Sequence, residues 1–138
     1  MTAFYLAARY SRHEELAEYA ERLRSMGHTV TSRWLEGNHQ ISDAGLSEEG
    51  SKEERERFAQ EDWADVMAAD TVIAFTEPPR STASRGGRHV EFGIAIGAHK
   101  GLAVVGPREN VFHCLGFVPQ WDTFDQYIQH LELVAVPA

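Results

Sequence analysis

The chain has a single cysteine, Cys114. One thiol cannot close an internal disulfide, which excludes a disulfide-held scaffold. No apolar run approaches the roughly 20 residues that cross a bilayer as a helix, so no membrane partner is expected. The opening MTAFYLAARYSRHEE has no basic stretch ahead of a long apolar core. It does not read as a signal peptide, and the cytoplasm is the expected compartment. Basic residues are also scarce, with 13 Lys and Arg against 21 Asp and Glu, for a net charge of -8. The whole excess lies between Glu36 and Asp70, and the rest of the chain is balanced. Duplex nucleic acid needs clustered cations for its phosphates, so it is an unsuitable partner, whereas a small anion held by a few local donors is not excluded. The seven histidines have no metal-ligand spacing, and His28 and Cys114 make no convincing site. Gly86-Gly87 is neither a phosphate-loop motif nor a dinucleotide fingerprint. No metal and no cofactor are expected.

What is present is an alternation of two patterns. Phe4 to Ala8 is a short apolar run that predicts a first strand. From Ser11 to Met26, Leu16, Tyr19, Ala20, Leu23 and Met26 recur at helical spacing. Ser11 is the expected cap and Gly27 the expected stop. Thr29 to Trp34 predicts a second strand. Residues 36 to 50 read as a loop long enough to suggest a lid or binding segment. A second helix is expected from about Ser51 to Ala69. Thr71 to Thr76 predicts a buried central strand. A loop rich in Pro, Ser, Arg and Gly spans Glu77 to Gly87, then a third helix runs from Arg88 to Lys100. Leu102 to Val105 and Phe117 to Trp121 predict two more strands, with a short helical turn near Asn110 to Leu115 between them. Asp122 to Leu133 predicts the last helix. Strand and helix in turn imply one α/β domain over residues 1–138, with a doubly wound parallel sheet of about five strands and right-handed crossovers. Ligands of such sheets bind beyond the carboxyl ends of the strands, which directs attention to loops 7–12, 35–50, 77–88 and 106–113.

Three residues near those ends carry candidate chemistry. Glu91 opens the third helix behind two glycines and shares a stripe with Ile94, Ala95 and Ala98. The positive helix end should favour its ionised form, as a nucleophile requires; a Glu that only complements the dipole is the alternative. Asp62 lies four residues from both Phe58 and Val66, on the apolar face with Ala59 and Met67, while Glu61 and Asp65 are expected toward solvent. The alternative is a buried Asp bonded to backbone or to an Arg. Tyr5, near the end of the first strand, is either a core aromatic or a phenol that orients a carboxylate. Two inward carboxylates at one sheet end are the equipment for glycosidic cleavage. Arg9, Ser11 and Arg12 form one candidate anion site. Arg80, Ser81, Ser84, Arg85 and Arg88 form another. Either is equally readable as solvated surface.

Taken in order, Tyr5 in FYLAARYS, Glu61-Asp62 ahead of MAADTVIAF, and Glu91 in GGRHVEFGIAIGAHK resemble the nucleoside 2-deoxyribosyltransferase family and its nucleoside 5′-monophosphate N-glycosidase relatives. The likeness runs from the first strand to about Phe112. It implies a flavodoxin-like sheet, a homodimer or higher homo-oligomer, and a nucleoside or nucleotide substrate. It also implies a glycosyl-enzyme in which Glu91 attacks C1′, Tyr5 orients Glu91, and Asp62 assists the leaving base. The substrate-binding set it suggests is Ala8, Arg9, Ser84, Arg85, Gly86 and Gly87, with Asn110 and His113 reaching a neighbouring subunit's pocket. One departure stands out: Arg85 occupies the place of an Asp with which the transferases recognise the base, which favours hydrolysis over base exchange. The competing reading is a catalytically silent nucleotide-binding or sensing module on the same fold.

Overall fold

The computed structural model describes residues 1–36, 52–82 and 86–135. Five parallel strands form one sheet in the order β2-β1-β3-β4-β5, as the alternation of patterns predicts. They are β1 (Ala3–Ala7), β2 (Thr29–Val30), β3 (Thr71–Phe75), β4 (Gly101–Val105) and β5 (Gln120–Trp121). This is the flavodoxin-like order, with a switch point between β1 and β3. Four helices connect and flank them: α1 (His13–Ser25), α2 (Lys52–Ala68), α3 (Gly87–Gly97) and α4 (Phe124–Val134). Among the described residues no helix is long and apolar enough to cross a membrane.

The strands are apolar because both sheet faces are covered. Alternation along β1 sends Phe4 toward α4, where its ring meets Tyr127 edge-on at 6.4 Å, and Tyr5 to the opposite face. Phe75 at the end of β3 shares the α4 side, stacking with Tyr19 of α1 at 5.5 Å. Helices α2 and α3 pack on each other and on β1, over the face that Tyr5 occupies. β1, β3 and β4 end together at Ala7, Phe75 and Val105, so the segments after them meet at one edge.

Several boundaries differ from the sequence expectation, each for a local reason. The second strand stops at Val30. Beyond it, side chains replace the backbone ladder: Leu6 N–H donates to Ser32 Oγ at 2.8 Å, and Trp34 Nε1 donates to the Leu6 carbonyl at 2.9 Å. The fifth strand begins only at Gln120, after Pro119, which has no N–H to give a ladder. Ser11 lies in a 3-10 turn, Tyr10–Arg12, and α1 starts after it without a side-chain cap. Gly27, at φ 91°, ends α1 as expected. α3 closes at Gly97, three residues earlier than its pattern suggested. The proposed lid falls almost wholly at 37–51, outside the described residues.

Candidate active site

The switch point brings β1 against the start of α3. Gly86 enters the helix at φ 85°, a left-handed conformation that suits glycine, and Gly87 is the first helical residue. One turn on, Glu91 turns back to the sheet. The Tyr5 hydroxyl donates to Glu91 Oε2 at 2.6 Å, across 86 positions of sequence. Tyr5 is fully buried and Glu91 partly so.

Glu91 and Asp62 line one cleft of about 660 Å³ between α2 and α3. Its walls include Phe58, Trp63, Val90 and Ile94, and its charged lining adds Arg55 and Glu56. A mostly apolar cleft with a few convergent polar groups is the usual form of a small-molecule site.

The electrostatics run against the helix-dipole expectation. Burial pushes the Glu91 carboxyl up to about 8, and Asp62 and Asp65 push the same way, while the Tyr5 hydrogen bond pulls it down. The helix end does not prevail over desolvation. The Tyr5 phenol is raised well above its ordinary value by burial first and by the Glu91 charge second. The proton of this hydrogen bond therefore stays on the phenol.

Asp65 corrects the sequence reading, which turned it to solvent. It is buried, and its carboxylate takes Arg33 Nε at 2.9 Å and the Arg33 backbone N–H at 3.0 Å. A residue three positions after Asp62 shares its helix face. The solvent side of α2 instead carries Ala59, Trp63 and Met67, two of which were expected inward.

The anion candidates fare unevenly. Arg12 is engaged by Glu15 and Glu77, each at 2.8 Å. Arg88 is buried and grips Glu109 with both terminal nitrogens, at 2.5 and 2.7 Å. Neither is available to a phosphate. Arg9 and Ala8 are half-buried at the end of β1, and Arg80 and Ser81 are exposed. Ser84 and Arg85 lie outside the described residues. Asn110 and His113 serve local structure. Asn110 Oδ1 accepts from Phe112 N at 2.9 Å and His113 N at 3.3 Å, capping a 3-10 turn. His113 Nδ1 accepts from the backbone of Glu109 at 3.0 Å and Asn110 at 3.2 Å, and burial takes its pKa down to about 4. Neither lines the Glu91 cleft of its own chain. No metal-holding cluster of three or more His, Cys, Asp or Glu occurs among the described residues.

Sequence reasoning missed Asp65, Arg33 and Glu109. Only Asp65 left a signal, its spacing from Asp62.

No protein-family model and no curated protein matches the sequence. Solved structures do. The chain has the fold of a 2-deoxyribosyltransferase. That structure, from Bacillus psychrosaccharolyticus, superposes with a TM-score of 0.68 at 18% identity, over 91% of this chain and 89% of its own. The CMP N-glycosidase of Clostridium botulinum gives 0.60 at 19% identity, over 95% and 98%. A conserved protein of Enterococcus faecalis gives 0.54 at 16% identity, over 98% and 77%.

Proposed function

We propose that this chain is an enzyme of the deoxyribosyltransferase and nucleotide N-glycosidase kind, acting on 2′-deoxyribonucleosides or their 5′-monophosphates. The observation that carries this reading is the Tyr5–Glu91 hydrogen bond of 2.6 Å in a cleft that Asp62 also lines. The two neighbours of similar fold are a 2-deoxyribosyltransferase and a CMP N-glycosidase, which supports the same chemistry.

In this mechanism a Glu91 oxygen attacks C1′ of the sugar and the C1′–N bond breaks. Its electron pair leaves with the base, which takes a proton from Asp62. Water, or a second base, then attacks C1′; Asp62 takes the proton back, and the Glu91 carboxylate departs. The first step needs one carboxylate and one carboxylic acid in the cleft. Burial that holds Glu91 near 8 keeps one proton on the Glu91–Asp62 pair at neutral pH, and this proton passes from Glu91 to Asp62 as the attack begins. Positive charge growing on the sugar stabilises ionised Glu91 strongly in so apolar a setting. Tyr5 holds the attacking carboxylate in one orientation and donates to its charged form.

A second copy belongs on the α2–α3 face. Trp63, Met67 and Val90 are exposed there, and Trp63 and Val90 also line the cleft. Whatever covers this apolar face also shields the reacting carboxylate from water. Light scattering at micromolar concentration should give a dimer or larger; a fully active monomer would exclude a shared site.

The decisive experiment offers the protein each common nucleoside and nucleotide and follows free base. A 2-fluoro-2-deoxy nucleoside should leave a sugar mass on Glu91. An adduct on another residue would move the nucleophile, and binding without base release would make the chain a silent sensor.

A further inference from the structure

A second carboxylate, Glu109, stands where three segments of the active end converge. It takes Arg88 through a two-pronged contact at 2.5 and 2.7 Å, and Glu109 Oε1 also accepts the Glu77 backbone N–H at 3.0 Å. His89 Nε2 lies 3.7 Å from its other oxygen. Its own N–H donates to His113 Nδ1 at 3.0 Å. Glu109 therefore ties the first turn of α3 to the segment after β3, from its own place after β4. Both partners are covered, with side-chain exposures of 5% for Arg88 and 10% for Glu109. A paired and buried guanidinium–carboxylate fork fixes geometry more than it adds stability.

Arg88 stands one helical turn before Glu91. The hydroxyl of Tyr5 holds the Glu91 carboxylate, and the Arg88–Glu109 fork holds the helix start that carries it. We propose that Glu109, through Arg88, is a positioning residue that seats the first turn of α3 so that Glu91 meets Tyr5. The proposal takes from the reading above only that the Tyr5–Glu91 contact matters. The groups around Glu91 are Tyr5 from β1 and Asp62 and Asp65 from α2, with Arg55 and Glu56 of α2 lining the same cleft. Loosening the clamp should admit water to the carboxylate and change its proton affinity. A merely structural pair would lower thermal stability and leave that affinity unchanged.

The test is a ¹³C NMR titration of glutamate side-chain carboxyls in the full chain. The Glu91 signal is assigned by its loss in Glu91→Gln. In Glu109→Gln its midpoint should move by about one unit or more, a tenfold change in proton affinity. Arg88→Lys keeps the charge but loses the fork, and should move it in the same direction. It also serves if Glu109→Gln does not fold. Arg22→Ala breaks an exposed pair with Asp125 on the other side of the sheet and should leave the midpoint in place. A wild-type midpoint in Glu109→Gln or Arg88→Lys, whatever their melting temperatures, overturns the proposal. A chain that releases no base removes the enzymatic reading and leaves this titration readable.

Discussion

Glu91 and Glu109 have the same side chain, lie at the same end of one sheet and are partly covered, yet their surroundings drive them in opposite directions. Glu91 faces a phenol and two further acids, and is raised from 4.5 to about 8, chiefly by burial. Glu109 suffers burial too, but the Arg88 fork and the Glu77 N–H bring it down to about 2. A carboxylate given a cation is structural and stays ionised. A carboxylate given only a neutral donor in an apolar cleft is held close to its proton, ready to be shifted by a substrate. The contrast separates the clamp from the chemistry.

The largest effect should come from removing the reactive member. Glu91→Gln is expected to lower kcat/KM for base release by at least about 1,000-fold, roughly 4 kcal/mol of transition-state stabilisation. Circular dichroism should stay native. Near-wild-type turnover in a steady-state assay would exclude Glu91 as nucleophile. Next is Tyr5→Phe, which deletes one hydrogen bond to a charged group and should cost about 10- to 100-fold in kcat. Because that bond pulls the Glu91 carboxyl down, its loss should also carry the falling limb of the kcat/KM pH profile to higher pH. In the wild type the Glu91–Asp62 pair needs its one shared proton, so activity should fall as pH rises through about 8. A profile that climbs through that range would show that Asp62 supplies no proton to the leaving base.

The pair should also separate in stability. Glu91 has a folded pKa above its unfolded one, so its contribution is whole below 4.5 and disappears as pH rises through about 8. Glu109 has a folded pKa below its unfolded one, so its contribution is whole above 4.5 and disappears as pH falls through about 2. Thermal melts against pH should show Glu91→Gln flattening the alkaline decline and Glu109→Gln flattening the acid one. Exchanged or absent effects would break the contrast. The smallest effect concerns Arg85, whose guanidinium suits a phosphate and cannot accept from a base. Arg85→Ala should reduce a preference for 5′-monophosphates over the matching nucleosides by a few-fold, measured as paired kcat/KM values. Efficient base exchange with no such preference would favour a transferase.

The parts of this molecule that depend on local pattern were readable before its structure. Every strand and helix appeared in the expected order, because apolar runs and helical spacing report burial directly. Tyr5 could be set beside Glu91 only through the family likeness, since 86 positions separate them and no periodicity links strand to helix. Asp65 was misread because a helix face is wider than one stripe. The Arg88–Glu109 pair left no trace, for an arginine at a helix start behind a loop rich in Ser and Gly looks the same whether it serves a ligand or a carboxylate. The second strand was overextended because Ser32 and Trp34 suit a ladder by composition, while they act through their side chains.

That last substitution matters to how copies of the chain meet in a crowded solution. Both outermost strands, β2 and β5, are two residues long. Past the end of β2, the Leu6 amide and carbonyl would face outward as a vacant rung. Ser32 and Trp34 occupy that rung, so the flank of β1 offers no backbone groups there to a strand from another molecule. Edge-to-edge pairing along this flank therefore loses its first foothold.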